Sequence, residues 1–396
     1  MKFQYVRKSN EGTLMKSRDA YRYLSYGMSA VGWLSPPERW GCRWPYKLWS
    51  CIVVAMAFYL PCGMLMTYVT EFSNFKPEEL FTSLQAGINA PGAFCRGMLS
   101  FLGIWRLHKL LDTLDEMDKR CITQAEQIKV HEIVRRCNMI FLFYVSSYFF
   151  YATCTFVASL SRGQTPYLIY NPLIDSQKHL YISGFIDYVL LSSGLYYNLM
   201  TDVFTLIFGF TVRLHLSLLS DRIQQLHIPD SKTEAEYNEA LVGCVKDYTH
   251  IIDICNLMRP YISANIFVQY LIAGMLFGIT LINVMFFGDL WSKVPSAIYL
   301  SALCLQTFPF SFCCNLIEKD CDDLTHVVFQ AFRCGANKKY HTTLSCFLQL
   351  THTPITFTAG KIFNICMATN ISVAKLAFSV VTLVKEMNIA ENLKAE

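Results

Sequence analysis

The sequence predicts an all-α, polytopic membrane protein with seven transmembrane helices, N-terminus cytoplasmic and C-terminus extracellular. Three observations carry that prediction. Only 16% of the 396 residues are charged, against about a quarter in an ordinary soluble domain. Four stretches of 23 to 29 residues hold no charge at all. Basic residues crowd every second connection between the apolar stretches. A nucleic-acid binder, a disordered chain or a cytosolic enzyme would carry more charge than this.

A helix needs about 20 mostly apolar residues to cross the hydrocarbon core. Four spans meet that without interruption, between Lys47 and Glu71, Arg136 and Arg162, Arg259 and Asp289, and Lys293 and Glu318. Three more contain a charge: Leu80–Trp105 around Arg96, Gly184–Val212 around Asp187 and Asp202, and Ile362–Val384 around Lys375. Together they make seven. The segments 1–47, 105–137, 213–259 and 318–339 hold 25 Lys and Arg, whereas the alternate connections and the tail hold 6. Positive residues stay inside. The expected layout is therefore a cytoplasmic segment 1–47, a seven-helix domain 48–384 and a short extracellular tail 385–396. No secretory signal peptide is expected, since the first apolar run follows residue 47.

None of the 16 cysteines falls in an expected outer connection, and no C-x-x-C pair exists. Disulfides and zinc are therefore not expected. The sequon Asn370-Ile371-Ser372 lies inside the last span, out of reach of glycosylation.

The inner connections are patterned as helices. Leu107, Leu110, Leu111, Leu114, Met117 and Cys121 recur at helical spacing, with Asp112, Asp115, Glu116 and Lys119 facing away. The second span is therefore expected to continue into the cytosol as one long helix. Leu214, Leu218, Leu219 and Leu226 repeat the pattern up to Pro229. Ser231 with Glu234 reads as a capping box, restarting a helix striped by Leu241, Val245, Tyr248, Ile252 and Cys255. Such stripes bury either within the monomer or against another subunit.

In the seventh span Ser372, Lys375, Ser379, Thr382 and Glu386 share one face. A polar face in a membrane helix must meet protein or water. That leaves a centrally packed helix or one bordering a water-filled path.

Gln306-Thr307-Phe308-Pro309-Phe310, Thr358-Ala359-Gly360-Lys361-Ile362-Phe363, Ser372-Val373-Ala374-Lys375 and Val381-Thr382-Leu383-Val384 together resemble the C-terminal signature of insect odorant receptors. Lys16-Ser17-Arg18-Asp19-Ala20, Tyr46-Lys47-Leu48-Trp49-Ser50 and Phe267-Val268-Gln269 resemble members tuned to food volatiles. The long second cytoplasmic insertion of the shared co-receptor is missing, so the chain is similar to the odour-specific partner. The resemblance implies a subunit of an odorant-gated, non-selective cation channel in the plasma membrane of a sensory neuron dendrite. It further implies a heterotetramer with the co-receptor, membrane lipid around it, no nucleic acid and no cofactor.

The same resemblance implies that the last helix lines the pore. Ser379, Thr382, Leu383 and Val384 would then lie near the outer constriction and Glu386 at its mouth. Leu383 and Val384 could close such a path by dewetting. Ligands would be small volatile apolar molecules, such as esters, bound in the outer half of spans two, three, four and six. Candidates on span two are Leu84, Ile88 and Asn89, with Pro91-Gly92 positioned to bend the helix. Span three offers Tyr144, Ser147, Tyr148, Tyr151 and Thr155, whose hydroxyls could donate to an ester or carbonyl oxygen. Span four offers Tyr188, Leu191 and Leu195, and span six Tyr299 and Leu303. Among intramembrane charges, Asp202 could pair with Lys375, while Asp187 and Arg96 could reach the interface by snorkelling.

Rival readings fit less well. Ser220-Asp221-Arg222 superficially resembles the acidic-Arg motif of G-protein-coupled receptors, but it follows the fourth span and no N-P-x-x-Y ends the seventh. Cys321, Asp322, Asp323 and His326 match no hydrolase or metal spacing, so no enzyme is expected. A gustatory receptor of the same superfamily would share the fold and lack the co-receptor.

Overall fold

A computed structural model of the chain describes residues 4–8, 14–34, 43–71, 77–161, 163, 169–171, 179–227, 233–287, 290–332 and 337–386. Ten α-helices are described: α1 Arg22–Ala30, α2 Arg43–Glu71, α3 Pro77–Leu102, α4 Ile104–Asp118, α5 Gln124–Ser161, α6 Leu180–His227, α7 Glu234–Ile282, α8 Leu290–Gln330, α9 Lys338–Thr351 and α10 Met367–Glu386. Between the last two lies a hairpin of β1 Thr358–Ala359 and β2 Phe363–Asn364. Six helices (α2, α5, α6, α7, α8 and α10) are both long and apolar enough to cross a membrane. The 26-residue α3 is long enough too, and Glu78, Glu79 and Arg96 make it more polar. It completes seven.

Lipid facing is written on the outer helices. Leu48, Ile52, Phe58 and Leu65 of α2 are exposed, as are Phe143, Phe149 and Phe150 of α5. The central helix is α6, where Val203, Ile207, Phe208 and Val212 are wholly buried. At 48 and 49 residues, α6 and α7 are each about 70 Å long at 1.5 Å per residue. They overshoot a core of about 30 Å. Their overshoot joins α4, the far half of α8 and α9 in one continuous core.

That core takes in the striped segments. Leu107, Leu110, Leu114, Leu218, Leu219, Leu241, Tyr248 and Cys255 are all buried within the monomer. Asp112, Glu116 and Lys119 face outward. Packing inside one chain therefore accounts for these stripes. The N-terminal segment also enters the core, with Tyr21, Leu24 and Met28 buried. Ser17 pins it: its N–H and hydroxyl donate to the two carboxylate oxygens of Asp118 at 2.7 and 2.6 Å. Burial pushes the Asp118 carboxyl up from its ordinary range, and the two Ser17 bonds pull the other way.

Three boundaries differ from expectation. The second span does not run on as one helix; a turn at Gly103 separates α3 from α4, and the Arg106 N–H bonds to the Gly103 carbonyl at 2.9 Å. The cap of α7 is Thr233, whose side chain accepts from the Glu236 N–H while Glu236 reaches back to the Thr233 N–H at 2.7 Å; Pro229 and Ser231 lie outside the described residues. The last span begins as a helix only at Met367, because 358–364 folds into the hairpin. Gly360 and Lys361 both have φ of 60°, as a tight hairpin turn requires. A Cβ on Gly360 would lie 2.5 Å from the Phe267 ring, so the hairpin sits directly on α7. Pro91 stands inside an unbroken α3.

Close helix approach depends on Gly97 in α3, where a Cβ would lie 2.1 Å from the Tyr197 ring of α6. Tyr197 cannot easily move, being 1% exposed and set edge-on to Trp33 with ring centroids 5.1 Å apart. Gly97→Ala is expected to cost about 1–3 kcal/mol by overpacking. A lower unfolding temperature of the detergent-purified chain would show it, and unchanged melting would mean the helices are not this close.

Candidate functional site

Between α2, α3, α5, α6 and α8 lies a cavity bounded by Leu60, Gln85, Ala86, Asn89, Ala90, Ala93, Tyr151, Leu191, Gly194, Leu195, Asn198 and Tyr299. Each helix contributes for a local reason. Ala86, Ala90 and Ala93 recur at helical spacing on α3, so that face carries little bulk. Gly194 has no side chain, and a Cβ there would lie 2.7 Å from Leu60. Tyr151 and Tyr299 form an aromatic wall, their rings 6.3 Å apart. The cavity has about 30 Å³ in which the centre of a water-sized sphere can move. That is room for a water or two, so a larger guest must spread the walls.

Of the residues singled out in the sequence, Asn89, Tyr151, Leu191, Leu195 and Tyr299 line this space. Ile88 and Leu303 stand beside it, in an apolar cluster with Tyr299 and Ala377. Leu84 is half-buried and off the cavity wall. The others have separate engagements. Ser147 donates to the Phe143 carbonyl of its own helix at 2.8 Å, and Thr155 to the Tyr151 carbonyl at 2.9 Å. The Tyr144 hydroxyl donates to the Leu305 carbonyl at 3.0 Å. Tyr188 packs on Phe156, ring centroids 4.9 Å apart. The Tyr148 hydroxyl donates to Asp202 Oδ2 at 2.8 Å.

Missed from the sequence were Leu60, Gln85, Ala86, Ala90, Ala93, Gly194 and Asn198. Small and amide residues repeating along one face of α3 were the available signal.

Beneath the cavity runs a buried polar network. Arg96 pairs with Asp202, each side chain 3% exposed. Arg96 also donates to Asn265 Oδ1 at 2.7 Å, Asn198 Oδ1 at 3.1 Å and Gln269 Oε1 at 3.4 Å. Gln269 Nε2 goes on to the Gln306 carbonyl of α8 at 2.6 Å. This overturns two expectations. Asp202 pairs with Arg96 and not with Lys375, and neither Arg96 nor Asp187 snorkels, since both are buried. Arg96 finds acceptors on α6 and α7 within hydrogen-bond reach.

The last helix has a different setting. Only Asn370, Ala377 and Val381 of α10 are buried. Ser372, Lys375, Ser379, Thr382, Leu383 and Glu386 are all exposed on the single chain, and Val384 is half-exposed. Ser372, Ser379 and Thr382 donate to carbonyls of their own helix at 2.8 to 3.0 Å. Asn370, at the foot of the helix, donates to the Thr307 carbonyl of α8 at 3.4 Å. Among the described residues no group of three His, Cys, Asp or Glu side chains is placed to hold a metal.

Seven helices long enough to cross a membrane, packed around a small, partly polar cavity, define a polytopic membrane protein. The family model "7tm Odorant receptor" matches residues 76–378. Odorant receptor 42b of Drosophila melanogaster is 40% identical over 100% of both chains. Odorant receptor 59b of the same species is 37% identical over 99% of each. The chain belongs to the insect odorant receptor family, a family of receptors and not of enzymes. Its fold matches the insect olfactory receptor OR5 of Machilis hrabei, with a TM-score of 0.78, 12% identity, and 93% of this chain and 97% of that one covered. The eugenol complex of OR5 matches at a TM-score of 0.76, with 93% and 98% covered.

Proposed function

We propose that the chain is the odour-specific subunit of a heteromeric, ligand-gated, non-selective cation channel in the plasma membrane, joined to a co-receptor subunit. Small volatile apolar ligands enter the cavity between α2, α3, α5, α6 and α8. The pore is bordered by α10 through Ser379, Thr382, Leu383, Val384 and Glu386. One observation carries this reading: α10 turns its charged and polar stripe away from its own bundle. The three hydroxyls satisfy themselves on the helix backbone. Lys375 cannot. It sits eight residues into a 20-residue helix, about 12 Å from the helix start at 1.5 Å per residue. Lipid gives an ammonium there no partner, so that face meets water or a neighbouring subunit.

The route from cavity to pore is short. Tyr151 and Tyr299 of the cavity wall share an apolar cluster with Ala377 and Val373 of α10. Spreading the wall therefore pushes on the inner face of the last helix. The test is whole-cell current in cells expressing this chain with and without a co-receptor, under a panel of volatiles. Odour-evoked cation current in the pair alone is the expected result. Current that needs intracellular GTP, or none in the pair, would overturn the proposal.

A further inference from the structure

The seven spans hold two cations, Arg96 and Lys375, and two carboxylates, Asp187 and Asp202. Arg96 and Asp202 take each other, and Asp187 is buried. Lys375 is exposed and makes no hydrogen bond or ion pair among the described residues. A second copy of the chain could not supply a carboxylate at that depth, because neither aspartate reaches the surface. Glu386 shares the face of Lys375 but stands about 16 Å further along the helix at 1.5 Å per residue. Lipid tails offer an ammonium nothing, which points this one to water. The residues proposed to narrow the path, Ser379 to Val384, all follow Lys375 toward the outer end of α10. On that arrangement Lys375 stands on the cytoplasmic side of the constriction.

We infer that Lys375 rectifies the current: its charge thins the cations waiting on the cytoplasmic side of the constriction, so outward current is held below inward current. The inference rests on the proposed function in taking α10 as the pore helix with its first turn toward the cytoplasm. A fixed charge lowers the local concentration of ions of its own sign, and only the stream drawn from that side is starved. One unit charge about 7 Å from the ion path in water changes that concentration about twofold. Salt shortens its reach, from about 8 Å at 0.15 M to about 3 Å at 1 M. Lys385 is no substitute. It lies about 80° around the helix axis from Lys375, in the last turn, where a cation suits the free carbonyls of the helix end.

The test is unitary current in membrane patches from cells expressing this chain with a co-receptor. Equal Na⁺ bathes both faces, and an active volatile from the panel above holds the channel open. The quantity read is the ratio of outward to inward current at equal and opposite voltages. Lys375→Gln is expected to raise that ratio about twofold through the outward current, and Lys375→Glu to raise it further. Lys375→Arg should keep the ratio of the unaltered chain. If the glutamine variant does not reach the surface, the unaltered pair decides: its ratio should rise when Na⁺ goes from about 0.15 M to about 1 M on both faces. An unchanged ratio, as a lysine reaching the lipid interface would give, overturns the inference and leaves the channel proposal standing. So does a change confined to the inward current. So does a glutamine variant that reaches the surface without capturing the co-receptor, which would mean that Lys375 pairs with a neighbour's carboxylate. Absence of odour-evoked current in the unaltered pair would overturn both.

Discussion

Arg96→Met is expected to destabilise the chain by about 3–5 kcal/mol, the cost of leaving a buried charge without its partner. Asp202 would keep only the Tyr148 hydroxyl, at 2.8 Å. Asn198, Asn265 and Gln269 would each lose the donor that orients them. Arg96→Lys should rescue little, because one ammonium cannot reproduce a planar fork reaching partners on α6 and α7. The double variant Arg96→Met with Asp202→Asn should recover most of the loss, since the pair is then neutral and the new amide oxygen still accepts from Tyr148. Thermal unfolding in detergent and surface labelling in cells would both report it. Wild-type melting of the single variant would mean the pair is not buried. For the same reason Tyr148→Ala should weaken the fold more than it retunes ligand preference, whereas Ser147 is tied only to its own helix.

The uneven legibility of this chain has physical causes. The membrane spans could be read because a crossing helix imposes a long charge-free run, visible without tertiary information. The helical segments outside the membrane spans could be read because Leu107, Leu110, Leu114 and their counterparts repeat at 3.6-residue spacing. Pairing across helices could not. Arg96 and Asp202 are 106 positions apart, and nothing local says that α3 and α6 touch at Gly97. The N-terminal wedge was hidden for a similar reason: Tyr21, Leu24 and Met28 sit among charges with no long apolar run. Asn198 was hidden in an otherwise apolar stretch, where one amide carries no period. The second strand of the hairpin, Phe363–Asn364, was absorbed into the last span, although Gly360 followed by Lys361 just before it is turn chemistry. The candidate ligand residues divide accordingly. Asn89, Leu191 and Leu195 reach the cavity, whereas Ala86, Gly194 and Asn198 on the same two helices were passed over, and Tyr144 and Tyr148 stand at helical spacing yet bond elsewhere.

At the far end of the bundle, Arg222→Met is expected to cost about 3 kcal/mol and to loosen the packing of α4, α5, α6 and α7 together. Arg222 donates through Nε to Glu126 at 2.6 Å, through Nη1 to Asp247 at 2.7 Å and through Nη2 to the Arg120 carbonyl at 3.1 Å. It therefore ties α5, α6, α7 and the end of α4 at one point. Its carboxylate partners are 8% and 4% exposed, so water cannot replace it fully. Arg120 holds the other oxygen of Asp247 at 2.6 Å, which leaves Glu126 as the more stranded of the two, with only Thr123 to donate to it. Its neighbour Asp221 is bonded to Lys129 at 2.6 Å and is 43% exposed, so Asp221→Ala should change stability by less than about 1 kcal/mol. The contrast makes the measurement decisive. If the acidic-Arg pair served a G-protein-type switch, both substitutions would alter signalling with the fold intact. If Arg222 is the tie described, its substitution alone lowers the unfolding temperature, and adding Glu126→Gln restores part of it by removing the stranded charge.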